Sequence, residues 1–530
     1  MQAVSCSRGL EADQTGPSDD QPPVRSAWLN DFWWLLAVGL IALALCLPFI
    51  RYVWLQSDEG VLLHGAQRMF QGDRIYDDFF EFLPPGGFII VEGWFRIAGI
   101  SLFSARALAI ATIAGIACFT YLACRQASKR AALSAFIPLG WVVMSQGDWT
   151  QISHHWFTTL FSMIAAWATL ASVQRPLSWS RGPLIAGIAA GAAAMITPHR
   201  GALVMLAGAT AFLNLRRYRL ELTAYVLGSA LIPISLIAYL IAQGALTEAF
   251  DDVVIFTARR YASIQGALFG LTTNIYQKLL FPLAALVALV ACLHNRRKWC
   301  HDRVSWTCAA FGLAGFIGCF PRLEGIHIGF AAPLVCPLLA YCVGQLTWRW
   351  QPKYRYAAAA FAIASFVPAA RWFWWTIHTD AQAEVVSTAR GRVSLFPHTA
   401  RGLVERIAAT RADDGYFFYP YMPMLPFLTA RRHVAKYDIF VPGYTLPSQY
   451  KEACVAAIES ATWVVIDRDM INPQVLTAIF PAMRDPEPQE TKRFLQALET
   501  GFEFVAREGA FEMRRRRAEV DEAVCNRITE

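Results

Sequence analysis

The sequence predicts an α-helical polytopic membrane protein with about eleven transmembrane helices, followed by a C-terminal soluble α/β domain. Two observations predict this class. Only 16% of the 530 residues are charged and 55% are hydrophobic, whereas ordinary soluble domains are about 25% charged. Apolar runs of roughly 15–22 residues also recur along most of the chain, close to the length that crosses a bilayer as a helix.

The predicted spans follow these apolar runs. They lie near 33–50, 102–124, 131–146, 154–173, 182–198, 201–215, 221–243, 279–294, 304–320, 327–347 and 356–375. Basic residues gather in the loops after the even-numbered spans, as at Arg125, Lys129 and Arg130. Because such loops stay in the cytoplasm, the N-terminus is predicted to be cytoplasmic. The same loops account for the net charge of +7, which therefore does not indicate nucleic-acid binding.

Three regions divide the chain. Residues 1–30 are polar and are predicted to be a disordered cytoplasmic N-terminus. They lack the layout of a cleaved signal, so the first span is predicted to remain. Residues 31–375 form the predicted transmembrane domain, with a first outer loop at 51–101. Most of the 12 cysteines lie in apolar runs, so no disulfide framework is predicted.

Residues 86–101 are the weakest point of this topology. Glu92 and Arg96 favour an amphipathic helix that lies in the membrane interface. A full span here would invert the orientation of everything that follows.

Charge rises after Trp375, which predicts an outer-face domain at 376–530. Its predicted elements are strands at 415–419 and 463–466, a helix at 449–460, and a hairpin of 502–507 with 511–515. A helix followed by an apolar strand is typical of a small α/β domain. The sequence of this region contains no glycine-rich phosphate motif and no paired-cysteine metal pattern.

The first outer loop is unusually acidic. Its carboxylates are Asp58, Glu59, Asp73, Asp77, Asp78 and Glu81. One explanation needs no chemistry: Ser57 or Asp58 caps an amphipathic helix over 59–70, which ends at Gly72. The other is functional, because carboxylates are costly so close to hydrocarbon.

The wider chain favours the functional explanation. The predicted spans are nearly free of ionisable groups, whereas transporters place such groups near the midplane. Here the ionisable residues lie at one membrane–water interface. That location suits a reaction between a lipid-linked group and a molecule that approaches from the outer side. A flippase or transporter of lipid-linked sugars is the alternative, and a non-catalytic envelope-assembly protein is a third. A transporter should show inverted repeats and charges within its spans.

Residues 30–125 carry a resemblance to a known superfamily. A span is followed by Asp58-Glu59-Gly60, an amphipathic helix, Tyr76-Asp77-Asp78, Pro84-Pro85, an interfacial helix and Arg106 at the next span. This order resembles the polyprenyl-phosphate-sugar-dependent glycosyltransferases of the GT-C superfamily. It is most similar to the bacterial branch of protein mannosyltransferases and lipid A aminoarabinose transferases. The pattern is moderately specific for the superfamily and does not indicate the substrate.

The resemblance implies an inverting hexosyl- or pentosyltransferase of the bacterial inner membrane, with its C-terminal domain in the periplasm. The donor would be a polyprenyl-phosphate sugar, and the acceptor an envelope glycan, lipid or protein. The family's catalytic carboxylate corresponds to Asp58 or its neighbour Glu59, which would act as general base.

An anionic leaving group needs cations near the outer face. The candidates are Arg259, Arg260, Arg322 and His327. Arg322 and His327 lie in a segment that resembles a short outer loop of the family. The alternatives are that Arg259 and Arg260 solvate a loop helix and that Arg322 pairs with Glu324.

Three further residues are candidate substrate ligands. His154 is a candidate for hydrogen bonding to substrate. Joint metal binding with His155 is not predicted, because neighbours on a helix point about 100° apart. Asp77 and Asp78 offer oxygen ligands suited to a divalent cation, with a solvated loop as the alternative. No cofactor and no fixed metal site is predicted.

Overall fold

The computed structural model describes residues 24–146, 151–174, 181–213, 218–261, 275–294, 302–347, 352–520 and 522–529, together with residues 149, 264, 267, 268, 296 and 299. The tail at 1–23 and parts of several predicted basic loops, including Arg175, Arg216 and Arg217, lie outside this range.

Each of the eleven predicted spans corresponds to a helix. These helices are α1 (Val24–Cys46), α4 (Leu102–Ser128), α5 (Ala131–Gln146), α6 (His154–Gln174), α7 (Arg181–Ala194), α8 (Pro198–Leu213), α9 (Tyr218–Gln243), α11 (Ile275–His294), α12 (Arg303–Ile317), α13 (Gly325–Thr347) and α14 (Pro352–Ala381). Within the described residues, 6 helices are long and apolar enough to cross a membrane, and two shorter ones are also apolar.

Two predicted boundaries differ from the structure. Helix α1 begins at Val24, inside the segment predicted to be disordered to residue 30. Helix α14 continues to Ala381, past the predicted end of the membrane domain at 375. Both differences have the same cause, since a helix continues through polar residues at the interface after its apolar run has ended.

The spans pack around one large apolar cluster. It takes side chains from every helix from α1 and α4 through α9, and from α11, α12 and α13. Large apolar side chains on the opposite faces are exposed, such as Leu227 and Ile234 on α9 and Leu293 on α11. Such faces are stable against lipid rather than water.

The first outer loop folds into a short strand and two helices. These are β1 (Tyr52–Trp54), α2 (Asp58–Gln71) and α3 (Gly86–Ala98). Gly72 ends α2 with φ +107, a left-handed conformation that favours glycine, as the sequence predicts. Helix α3 has 13 residues and is therefore about 20 Å long. That is too short for the hydrocarbon core of about 30 Å, so α3 is not a full span.

The C-terminal region contains one sheet of its own and part of another. Two short strands lie between spans, β2 (Ala267–Leu268) and β3 (Arg322–Leu323). The strands of the C-terminal region are β4 (Val385–Thr388), β5 (Gly391–Phe396), β6 (Gly415–Tyr419), β7 (Arg432–His433), β8 (Trp463–Asp467), β9 (Phe502–Glu508) and β10 (Phe511–Arg516). Five of them form a sheet in the order β7-β6-β8-β10-β9. Strands β6, β8, β9 and β10 confirm the predicted strands and hairpin.

The second sheet joins the first outer loop to the C-terminal region. Its order is β1-β5-β4, and Tyr52 pairs in parallel with Ser394. The other short helices are α10 (Leu246–Phe250), α15 (Ala400–Ala408), α16 (Met424–Thr429), α17 (Pro447–Ser460), α18 (Pro473–Ile479) and α19 (Gln489–Gly501), and residues Asp251–Tyr261 form a π-helix. Helix α17 confirms the helix predicted at 449–460. The C-terminal region thus packs directly beside the acidic loop.

One disulfide corrects the cysteine prediction. Cys454 on α17 is bonded to Cys525, across a sequence separation of 71 residues. The reasoning that cysteines in apolar runs behave as small hydrophobes does not apply to this pair, because both lie beyond the last span.

Opening this disulfide should destabilise the C-terminal region. For a loop of this length we expect Cys454→Ser to lower the free energy of unfolding by about 2–4 kcal/mol. Thermal unfolding with and without a reductant measures the effect. Cys292→Ser, which removes a free cysteine, is the matched control. Equal melting temperatures for Cys454→Ser and the wild type would contradict the prediction.

Candidate active site

The two carboxylates at the start of α2 have opposite environments. Glu59 is 0% exposed, and its Oε2 lies 2.8 Å from the Arg106 guanidinium. Its Oε1 accepts the backbone N–H of Ile152 at 3.2 Å. Burial raises the pKa of Glu59 although Arg106 opposes the shift. With both oxygens occupied, Glu59 ties the first loop to α4.

Asp58 is exposed, and its Oδ1 accepts a hydrogen bond from the Tyr421 hydroxyl. The predicted helix cap is not formed here. No side chain caps the first turn of α2, and the buried Ser57 Oγ has no hydrogen-bond partner within the described residues. Asp58, which the sequence predicts as a possible helix cap, therefore contacts a residue of the C-terminal region instead.

Aromatic side chains from three parts of the chain meet beside Asp58. The Phe82 ring centroid lies 5.3 Å from that of Tyr261 and 5.4 Å from that of Tyr444. These residues come from the first loop, the π-helix and the C-terminal region. Burial, together with the Asp58 charge, raises the pKa of Tyr261 to about 12. Tyr261 is therefore a neutral hydroxyl at neutral pH.

Two of the predicted phosphate ligands lie together at the start of α13. Glu324 accepts from Arg322 at 3.0 Å and lies 3.1 Å from His327 Nδ1. Burial opposes ionisation of Glu324, but the His327 and Arg322 contacts lower its pKa. The alternative predicted for Arg322, pairing with Glu324, is formed.

The cluster continues from His327 to residues on α6 and α8. The His155 ring centroid is 5.3 Å from His327 and 4.0 Å from His154. The Arg200 Nη1 lies 3.2 Å from His155 Nδ1. We call Arg200, His154, His155, Arg322 and His327 the basic cluster. Three of its members were predicted as substrate ligands.

Besides His155, Arg200 is a member of the basic cluster that the sequence did not indicate as a ligand. It is 6% exposed, and among the described residues it has no carboxylate within ion-pair distance. A buried arginine without an acidic partner is costly, and that cost suggests an anionic ligand.

The other predicted ligands lie elsewhere. Arg259 and Arg260 are exposed on the last turn of the π-helix, outside the basic cluster. Asp77 and Asp78 both pair with Arg74 in the turn after α2. The Arg74 backbone N–H, at 2.7 Å, lowers the pKa of Asp78. These two carboxylates are thus neutralised locally.

A second acidic group lies behind Asp58. Glu81 is 3% exposed, and burial together with Asp438, Asp252 and Asp58 raises its pKa well above the usual range. Burial also raises the pKa of Asp252 to about 7. Across the residues that the structure covers, no group of three or more His, Cys, Asp or Glu side chains is arranged to hold a metal ion.

An apolar cavity of about 880 Å³ lies between the acidic loop and the spans. Apolar side chains of α3, α6, α7 and α9 line it, and charged residues occur on its wall at Asp73, Arg74, Glu92 and Arg96. Gly86 borders this cavity, whereas a Cβ on the next residue, Gly87, would lie 3.1 Å from the His154 Cβ. The start of α3 therefore separates the cavity from the basic cluster.

Comparison with known proteins supports the fold. The crystal structure of ArnT from Cupriavidus metallidurans, bound to undecaprenyl phosphate, matches 94% of this chain and 99% of its own, with a TM-score of 0.57 and 12% identity. The arabinosyltransferase EmbB from Mycobacterium smegmatis matches 63% of this chain and 32% of its own, with a TM-score of 0.39 and 16% identity. That second likeness is too low to add to the argument. No protein-family model and no curated protein sequence matches the chain.

The fold and the apolar helices together define a multi-pass membrane protein. Its fold is similar to that of ArnT over nearly the whole chain.

Proposed function

We propose that this protein is a membrane glycosyltransferase that transfers a sugar from a polyprenyl-phosphate carrier to a cell-envelope acceptor at the outer face. One observation carries the proposal. The exposed Asp58 and the buried Arg200 lie at the same end of the spans: Glu59, next to Asp58, accepts the backbone N–H of Ile152, and His155, three residues further on, contacts Arg200. Together they offer a base for an acceptor and a cation for an anionic leaving group.

In the proposed reaction Asp58 takes the proton from an acceptor hydroxyl as that oxygen attacks the anomeric carbon. The new C–O bond forms while the bond from the anomeric carbon to the phosphate oxygen breaks. The phosphate leaves with the electron pair and remains attached to the polyprenyl chain. Attack from the face opposite the phosphate inverts the configuration.

The basic cluster would hold the carrier phosphate. Arg200 and Arg322 supply guanidinium groups that bind phosphate oxygens with defined geometry. His155 contacts Arg200 directly, so it can orient that guanidinium. In a partly buried site these charges stabilise the leaving group more strongly than they would in water.

The apolar cavity beside Gly86 would hold part of the polyprenyl chain. Its walls are apolar side chains of the spans, and only the Gly86-Gly87 turn of α3 separates it from His154. A lipid carrier needs this arrangement, an apolar chain site next to an anion site. ArnT, which shares the fold, has been solved with undecaprenyl phosphate bound.

Two independent features support an outer-face location for the acidic loop and the C-terminal region. The loops after the even-numbered spans are basic, which favours a cytoplasmic location for them. The Cys454–Cys525 disulfide favours an oxidising compartment for the C-terminal region, because disulfides persist mainly outside the cytosol. The acidic loop pairs with that region through β1 and β5.

Replacing Arg200 should weaken carrier binding. Loss of charge-assisted hydrogen bonds costs about 1.5–3 kcal/mol, so we expect Arg200→Gln to raise the dissociation constant for polyprenyl phosphate by about 10- to 100-fold. Ligand-induced thermal stabilisation measures this, with the dephosphorylated polyprenol as the control ligand. Arg411→Gln is the control variant, since Arg411 is exposed and pairs only locally with Asp413.

The proposal fails at this step if Arg200→Gln and the wild type bind polyprenyl phosphate equally well. It also fails if polyprenol and polyprenyl phosphate stabilise the wild type to the same extent, because the basic cluster would then recognise no phosphate.

A further inference from the structure

A tyrosine of the C-terminal region contacts the proposed base. The Tyr421 hydroxyl donates a hydrogen bond to Asp58 Oδ1 across a sequence separation of 363 residues. Burial first, and then the Asp58 charge, raises the pKa of Tyr421 well above its usual value. The phenol therefore keeps its proton, so it can act only as the donor in this pair.

Close backbone packing fixes the position of Tyr421. A Cβ at Gly60, in the first turn of α2, would overlap the backbone of Pro423 and Met424. Only glycine permits this approach of α2 and the start of α16. Met422 and Met424 are buried with Val61 in one apolar cluster. The residues on both sides of the hydrogen bond are thus held by packing that does not depend on the bond itself.

The bond occupies only one of the two Asp58 oxygens. Within the described part of the chain, Oδ2 has no hydrogen-bond partner, and the side chain remains exposed. The titratable groups that face Asp58 are Glu81 from the first loop, Tyr261 from the π-helix, and Tyr421 and Tyr444 from the C-terminal region. None of them is a cation that would hold Asp58 in an ion pair. The hydrogen bond from Tyr421 is therefore the contact that restrains the carboxylate.

We infer that Tyr421 is a positioning residue for Asp58, and that the C-terminal region therefore completes the active site. This rests on the proposed function. Tyr421 holds Oδ1 and turns Oδ2 toward the space where an acceptor hydroxyl would lie. A base held in one orientation loses less rotational freedom in the transition state than a free carboxylate does.

Tyr421→Phe tests this with the smallest change in shape. We expect kcat to fall about 10- to 100-fold, as for the loss of one hydrogen bond to a charged group, and the KM for the donor to stay within twofold. Tyr437→Phe is the matched control, since Tyr437 gives an equivalent bond to Glu452 at 2.5 Å in the same region.

A second measurement does not depend on transfer. Carbodiimide labelling of Asp58 at one fixed pH, followed by mass spectrometry, reports how accessible the carboxylate oxygens are. The labelling rate should rise in Tyr421→Phe, because Oδ1 loses the hydroxyl that covers it, and stay unchanged in Tyr437→Phe. An unchanged rate in Tyr421→Phe overturns the inference. If the rate rises but the wild type transfers no sugar, the proposed function fails while the positioning contact stands.

Discussion

Asp58→Asn is expected to abolish sugar transfer in proteoliposomes supplied with a polyprenyl-phosphate sugar. General-base catalysis contributes about 10²- to 10⁴-fold to such reactions, and an amide cannot accept the acceptor's proton. The folded protein should be unaffected, because Asp58 is exposed and Asn retains an oxygen that accepts from Tyr421. Release of labelled product and the melting temperature are measured on the same preparation.

Asp77→Asn is the matched control for this variant. Asp77 lies in the same outer loop, but its carboxylate pairs with Arg74 rather than facing the site. We expect it to retain activity within about twofold. Full activity in Asp58→Asn would remove the assigned base.

Glu59→Gln is expected to destabilise the protein rather than to remove a catalytic group. Glu59 and Arg106 are 0% and 1% exposed, and breaking such a buried pair costs about 3–5 kcal/mol because the remaining charge is left without its partner. Thermal unfolding in detergent and the yield of folded protein measure this loss. Protein that remains folded should retain measurable transfer per molecule.

The control for Glu59→Gln is Glu92→Gln on α3. Glu92 forms an ion pair with Arg96, whose side chain is 62% exposed, and such pairs contribute about 0–1 kcal/mol. If Glu59→Gln melted like the wild type but transferred no sugar, the roles of the two neighbouring carboxylates would be reversed.

Asp58→Asn and Glu59→Gln distinguish two assignments of the base that the sequence leaves open. Asp58 and Glu59 are adjacent and both acidic, so either fits the family's catalytic position. Their side chains point to different faces of α2, since neighbours on a helix are about 100° apart. The proposed assignment rests on the partner of each, Arg106 for Glu59 and Tyr421 for Asp58.

The helices and strands could be predicted where the local sequence determines them. Apolar runs predict the helices at all eleven predicted spans, continuous aromatic and apolar runs predict β6 and β8, and Glu508-Gly509 predicts the turn of the β9–β10 hairpin. Gly72 marks the end of α2 because a left-handed residue is needed there. The resemblance over residues 30–125 also indicated the acidic loop as the candidate site.

The contacts that assemble the site could not be predicted, because each depends on the tertiary fold. Tyr421 and Asp58 are 363 residues apart, and nothing near Tyr421 suggests a bond to the first loop. Arg200 and His155 are 45 residues apart, and a short dipeptide such as His199-Arg200 is common at interfaces. The disulfide was missed because two cysteines beyond the last span carry no spacing signal.

The most direct test of the account uses cells that carry only Asp58→Asn in place of the wild-type protein. Mass spectrometry of their lipid extract and of their envelope glycans, lipids and proteins gives one comparison. We expect a polyprenyl-phosphate-linked sugar to accumulate and one sugar modification of the envelope to disappear. Identical carrier pools and identical envelope modification in mutant and wild-type cells would contradict the central claim that Asp58 drives transfer from a polyprenyl-phosphate donor.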